Sequence, residues 1–146
     1  KVVVLGNGGA SQAVQAGIRH MKASRLVVVG NRTITEGVIT YQECFEEHSN
    51  ADVIVNTSPV GMFPNIDASP VDLAHFPGCQ AVIDIIANPL TTKLTAQAAA
   101  LGITGITGLE MLVAQAKYAA EIFLDQEIPD ARIDEIYRNL ADKDKG

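Results

Sequence analysis

The sequence predicts an α/β fold, a Rossmann-like doubly wound parallel sheet in three layers with C-terminal helices. Three observations predict it. Short β-branched blocks such as KVVVL and RLVVVG alternate with stretches of helical period. The blocks are apolar throughout, as strands buried on both faces are, rather than alternating apolar with polar. A glycine-rich turn, GNGGAS, stands between the first block and the first helical stretch.

The elements follow in order. Lys1–Leu5 is the first strand. Ser11–Ala23 carries Ala13, Val14, Gly17, Ile18 and Met21 at helical spacing. Arg25–Gly30 is a second buried strand, Tyr41–His48 suits a short acidic helix, and Ala51–Asn56 is a third strand. Thr57–Pro70 holds Pro59, Gly61, Pro64, Asn65 and Pro70 and reads as a loop. Gln80–Ile86 is a fourth strand, and Thr92–Leu101 is an Ala-rich helix ended by Gly102. Ile103–Ile106 is a short fifth strand and Gly108–Leu124 a long helix. Ala131–Leu140 is a final amphipathic helix with Ile133, Ile136, Tyr137 and Leu140 on one stripe, and the charged tail Ala141–Gly146 is expected to fray. The chain divides into a dinucleotide-binding domain over 1–124 and a helix and tail over 125–146. A buried strand at residue 1 predicts a domain excised from a longer polypeptide, with the missing part upstream and a further part downstream left open.

Composition narrows the function classes. At 146 residues, 47% hydrophobic and 19% charged, the chain can bury a core, which excludes disorder. A net charge of −6, 5% aromatic residues and no Trp argue against nucleic-acid binding. No apolar run approaches the ~18–20 residues of a membrane helix, and the apolar start breaks at Gly6, too early for a signal peptide. Cys44 and Cys79 lie far apart and form no C-x-x-C pair, which reads as two reduced thiols in a cytoplasmic protein. His20, His48 and His75 make no ligand spacing with them, so no metal site is expected. These histidines read as surface or satisfied core residues.

In GNGGAS, Gly6 permits a tight turn and Gly8 lets the backbone approach a diphosphate. The third position of the pattern holds Ser11, small enough for close packing of helix on strand. Backbone N–H groups at the helix N-terminus then face the phosphates, helped by the helix dipole. The second strand bears on which dinucleotide fits. A site for NAD usually places Asp or Glu at the strand's end. Here Asn31, Arg32 and Thr33 follow Gly30, and a guanidinium suits a 2′-phosphate. NADP is therefore preferred, with NAD left open because Glu36 follows closely. The alternative for Arg32 is a solvated loop residue.

With three later motifs, NTSPVGM (Asn56–Met62), DIIANP (Asp84–Pro89) and GLEMLVAQ (Gly108–Gln115), the chain resembles the shikimate dehydrogenase family nearly as far as Leu124. The resemblance implies the C-terminal, NADP-binding lobe of a two-lobe cytoplasmic enzyme of aromatic amino-acid biosynthesis. Such enzymes reduce 3-dehydroshikimate to shikimate by hydride transfer from NADPH. It further implies that Gly6, Asn7, Gly8, Gly9 and Ala10 cradle the pyrophosphate and that Asn31, Arg32 and Thr33 meet the 2′-phosphate. Thr57, Ser58 and Val60 would line the groove. Ile85 and Gly108 would contact the nicotinamide end, with Met111 nearby, and Gln115 would reach a substrate hydroxyl. The family's catalytic Lys and Asp belong to the upstream lobe, so no residue here is read as catalytic. The chain by itself is expected to bind NADP(H) without turnover.

Two departures bear on this. Glu36 stands where the family usually shows Arg, and Ala87 where it commonly places a substrate-holding Tyr. A quinate/shikimate dehydrogenase of mixed NAD and NADP use, or a non-catalytic nucleotide-binding module, are the alternatives. The implied partners are the small-molecule substrate and the missing N-terminal lobe of the same polypeptide, with a homodimer left open. Plain readings stand beside these: Met111 and Leu112 suit a core, and Asn88–Pro89 suits a strand end. Gln115, on a face otherwise made of Leu112, Ala116 and Ala119, needs a partner.

Overall fold

The computed structural model describes residues 1–31 and 36–143. The apolar blocks form strands β1 (Val2–Leu5), β2 (Leu26–Val29), β4 (Val53–Asn56) and β5 (Ala81–Asp84). Two shorter strands, β3 (Val38–Ile39) and β6 (Thr104–Ile106), complete a six-stranded sheet. The helices are α1 (Gly9–His20), α2 (Tyr41–Glu47), α3 (Lys93–Ala100), α4 (Gly108–Leu124) and α5 (Ala131–Lys143), with one 3-10 turn at Leu73–His75.

Every strand pair is parallel and the order is β3-β2-β1-β4-β5-β6. The sheet grows outward from β1 in one direction and then, at β4, in the other. The carboxyl ends of β1 and β4 therefore diverge at a topological switch point, where α/β sheets open a crevice. The register sets Leu5 beside both Val29 and Asn56, and Asn56 beside Asp84.

One face of the sheet presents Val3, Leu5, Val27, Val29, Ile54 and Val82 to Cys44, Leu73, Phe76, Leu94 and Ala98. Strand alternation sends Val4, Val28 and Val55 to the opposite face, where they too are buried, and α1 lies against β1 and β2. The short helix α2 is fixed by a capping box: the Thr40 hydroxyl accepts from Glu43 N, and the Glu43 carboxylate accepts from Thr40 N.

The hairpin of α4 and α5 is clasped by one ammonium. Lys117 is buried and donates to Asp130 at 2.7 Å and to Glu121 at 2.9 Å. These partners, Asp130 first, hold its pKa above the usual lysine range. Glu121 also accepts from Ile128 N at 2.7 Å, which ties down the approach to α5.

The strand and helix order expected from the pattern is present. The two-residue β3 was not expected, being too short to show a period. Helix α1 starts at Gly9 rather than Ser11, and α5 runs through Lys143 rather than ending at Leu140. Both cysteines are free and buried, and burial pushes the Cys44 thiol up to about 11. No helix among the described residues is long and apolar enough to cross a membrane, and those residues hold no cluster of metal-ligand side chains.

His48 corrects an expectation. It is neither a surface nor a satisfied histidine: it is buried, and its Nδ1 has no partner among the described residues. Burial, then the cations of Lys1 and Arg25, lowers its pKa against a weaker opposing pull from Glu47. The folded state thus binds this proton less readily than the unfolded chain. Its stability contribution is present above the ordinary histidine value of about 6.5 and is lost as pH falls through and below it. The thermal midpoint should drop below that pH, and His48→Gln should flatten the drop. An unchanged pH profile in the variant would contradict this.

Candidate functional site

The turn after β1 meets two demands that only glycine satisfies together. Gly6 has φ +104°, in the region that favours glycine. A Cβ there would also lie 2.9 Å from Thr57 Oγ1 and 3.1 Å from Ser58 N. Gly6 N donates to Val29 O at 2.8 Å, which pins the turn to the end of β2. Gly8 then serves as the N-cap of α1 in extended conformation, with no side-chain cap, and no acidic residue stands in the first turn.

Helix geometry leaves the first backbone N–H groups of α1 without intrahelical partners. A Cβ on Gly8 or Gly9 would meet nothing within 4 Å, so the space beside these N–H groups is open. The helix dipole adds partial positive charge there. Ser11 is fully buried and its hydroxyl takes a bond from Gln15 Nε2 at 3.0 Å. Its small size lets α1 sit close to the sheet, as expected. Asn7 accepts from Gln12 Nε2 at 3.4 Å beside the opening. Gly6 to Ala10 therefore form a cradle with room and charge for a diphosphate.

The loop after β4 is laced to this turn. Thr57 donates to Leu5 O through both its backbone N and its Oγ1, each at 2.8 Å. Asn56, fully buried, accepts from Ser58 N at 3.0 Å and Ser58 Oγ at 2.7 Å. Its amide donates to Asp84 Oδ1 at 3.1 Å and more weakly to Val60 O at 3.4 Å.

Asp84 ends β5 and gathers a second loop. Its Oδ1 also accepts from Ile86 N at 3.1 Å, and its Oδ2 from Thr92 Oγ1 at 2.7 Å. Thr92 in turn caps α3, accepting from Thr95 N at 3.2 Å. Burial pushes the Asp84 carboxyl above the usual range, opposed by these donors. Ile86 O then accepts from Gly108 N at 3.2 Å, which seats α4 on the end of β5. Ile85, Gly108 and the half-buried Met111 are thus brought together, and Thr57, Ser58 and Val60 lie one strand away.

Asn31 is exposed just past β2, and Glu36 is exposed before β3. Arg32 and Thr33 lie outside the described residues. Gln115 is exposed, as are Leu112, Ala116 and Ala119, so the partner its setting calls for is not supplied by the described residues. A recess of about 530 Å³ lies further along α4, lined by Lys117, Tyr118, Glu121 and the segment Glu127–Asp130. Three of its charged groups, Lys117, Glu121 and Asp130, are joined in the clasp described above.

Sequence reasoning passed over Asn56, Asp84 and Thr92 as individuals. The available signal was the polar residue closing each apolar strand, VIVN and AVID, at matched positions.

No protein-family model matches the chain. Among curated proteins it is 35% identical over 147 residues to the shikimate dehydrogenase (NADP(+)) of Crocosphaera subtropica, covering 88% of this chain and 51% of that protein. It is 38% identical over 140 residues to the enzyme of the same name from Caldicellulosiruptor bescii, covering 86% and 48%. The chain thus spans about half the length of the curated relatives it matches. Among solved structures, a chorismate mutase/shikimate 5-dehydrogenase fusion protein from Clostridium acetobutylicum superposes with a TM-score of 0.89 at 35% identity, over 99% of this chain and 55% of that one. Shikimate 5-dehydrogenase from Thermus thermophilus in complex with NADP(H) and shikimate gives 0.77 at 27%, over 94% and 54%. Quinate dehydrogenase from Corynebacterium glutamicum in complex with NAD gives 0.78 at 25%, over 94% and 54%.

Proposed function

The chain belongs to the shikimate dehydrogenase family, and from that premise we propose that it is the NADP-binding lobe of a shikimate dehydrogenase. The observation that carries the reading is the open first turn of α1 at the switch point, uncapped, free of acid and lined by glycine. Gly6 to Ala10 would hold the pyrophosphate, chiefly through backbone N–H groups at the helix end. Asn31, Arg32 and Thr33 would meet the 2′-phosphate. Thr57, Ser58 and Val60 would line the groove, and Ile85, Gly108 and Met111 would border the nicotinamide end.

The bound coenzyme would supply a hydride for reduction of 3-dehydroshikimate to shikimate, a step of aromatic amino-acid biosynthesis in the cytoplasm. This chain's part is placement. It holds the coenzyme against the crevice so that the reacting carbons can approach to about 3–3.5 Å. Gln115 would reach the substrate. The proton donor belongs to the rest of the polypeptide, whose surface would cover the bare side of α4. There Leu112, Ala116, Ala119 and Phe123 follow helical spacing, and Ile122 and Phe123 are 84% and 91% exposed.

Calorimetric titration with NADP and with NAD tests the reading. The protein should bind NADP, and Arg32→Ala should weaken NADP by about 1.5–3 kcal/mol, the worth of a charge-assisted contact, while leaving NAD nearly unchanged. Equal loss for both would remove Arg32 from the 2′-phosphate site. A second reading is favoured by Glu36, whose carboxylate so close behind Arg32–Thr33 works against a 2′-phosphate. On it the chain serves a quinate/shikimate dehydrogenase of mixed NAD and NADP use, and the two titrations of the unaltered protein would give similar affinities.

A further inference from the structure

Asp84 is a carboxylate with 1% exposure at the end of an otherwise apolar strand, and the roles assigned above make no use of it. Burying an anion is costly unless every lone pair is well used. Here three donors from three separate segments converge on it: the Asn56 amide, the Ile86 backbone N–H and the Thr92 hydroxyl. The Asn56 end leads through the other side of that amide to Ser58. The Ile86 end leads through its carbonyl to Gly108. One carboxylate therefore ties the loop after β4 to the loop after β5 and to the seat of α4, beside the backbone bond from Ile85 N to Asn56 O at 3.2 Å.

We propose that Asp84 is a positioning residue for the nicotinamide half of the dinucleotide, holding Ser58 and Val60 at a fixed separation from Ile85 and Gly108. The inference rests on the dinucleotide reading given above. Asparagine cannot reproduce the arrangement. Its oxygen can serve the two N–H donors, but its NH2 group must face Thr92, whose hydroxyl then has to accept where it now donates, and the negative charge that strengthens all three bonds is lost. On the adenosine side, Gly6 N is held by the Val29 carbonyl at the end of β2, a bond in which this carboxylate takes no part.

The test compares two probes, NADP and adenosine 2′,5′-bisphosphate, which lacks the nicotinamide half. Calorimetry on the unaltered protein and Asp84→Asn should show NADP weakened about tenfold, the scale of one charge-assisted hydrogen bond. Adenosine 2′,5′-bisphosphate should stay within about twofold. Circular dichroism establishes folding of the variant. If Asp84→Asn does not fold, Thr92→Val removes one donor and should show the same selective loss, with Thr92→Ser restoring it. Equal loss of both probes, or loss of neither, overturns the inference alone. An unaltered protein that binds neither probe overturns the dinucleotide reading and this inference with it.

Discussion

Replacing Gly108 by alanine should unfold the protein at a temperature about 10 °C lower, or prevent α4 from seating at all. Helix propensity alone points the other way, because alanine is favoured over glycine in a helix by about 1 kcal/mol. Geometry decides. A Cβ on Gly108 would lie 2.4 Å from Ile85 O, from Ile86 C and from Ile86 O, all of them backbone. No rotamer change relieves such a clash, so either the end of β5 or the whole of α4 must move. Moving α4 breaks the bond from Gly108 N to Ile86 O and withdraws Leu109 and Val113 from their buried sites. Overpacking of this kind costs about 3 kcal/mol or more. In a domain of this size that corresponds to roughly 10 °C in Tm. A variant melting within about 2 °C of the parent, followed by circular dichroism, would show that the approach of α4 to β5 is not as tight as described.

The contrast between Gly6 and Gly108 shows what the sequence could carry. Gly6 was legible as a turn glycine because a strand ends immediately before it and a helix opens just after. Gly108 was legible only through its motif, which pointed to a nicotinamide contact. Its crowding by Ile85 and Ile86 depends on where α4 lands on β5, and no local pattern encodes that. The long strands were readable for a simple reason: buried parallel strands are uniformly apolar. β3 was not, because two residues make no period. Asn56, Asp84 and Thr92 are each polar residues at element ends, unremarkable alone. Their joining follows from the β4–β5 register, which pairs Asn56 with Asp84 across 28 residues. Gln115 shows the reverse case. Its apolar surroundings suggested a shielded face, and the structure leaves that face open. His48 likewise looked ordinary until burial removed the partner for its Nδ1.

Gly9→Asp should separate folding from binding, with opposite signs for the two. A side chain at Gly9 meets no atom within 4 Å, and its φ is not among the positive ones, so the fold accepts it. A carboxylate in the first turn of α1, where no acid now stands, interacts favourably with the helix dipole, by about 0.3–1 kcal/mol. The thermal midpoint should therefore hold or rise slightly. NADP binding should collapse. The new carboxylate would occupy the opening that the diphosphate needs, and two like charges about 4 Å apart near a protein surface repel by about 4 kcal/mol. Even half of that is more than a tenfold loss, and steric exclusion adds to it, so about a hundredfold or greater loss is expected. Gly9→Asn, equal in size and uncharged, separates the two causes: it should lose less than the aspartate variant by the electrostatic share. If Gly9→Asp binds NADP as tightly as the parent, the diphosphate does not lie at the start of α1. The glycines there would then serve only the close approach of helix to sheet, a role that Gly6 and Ser11 already fill.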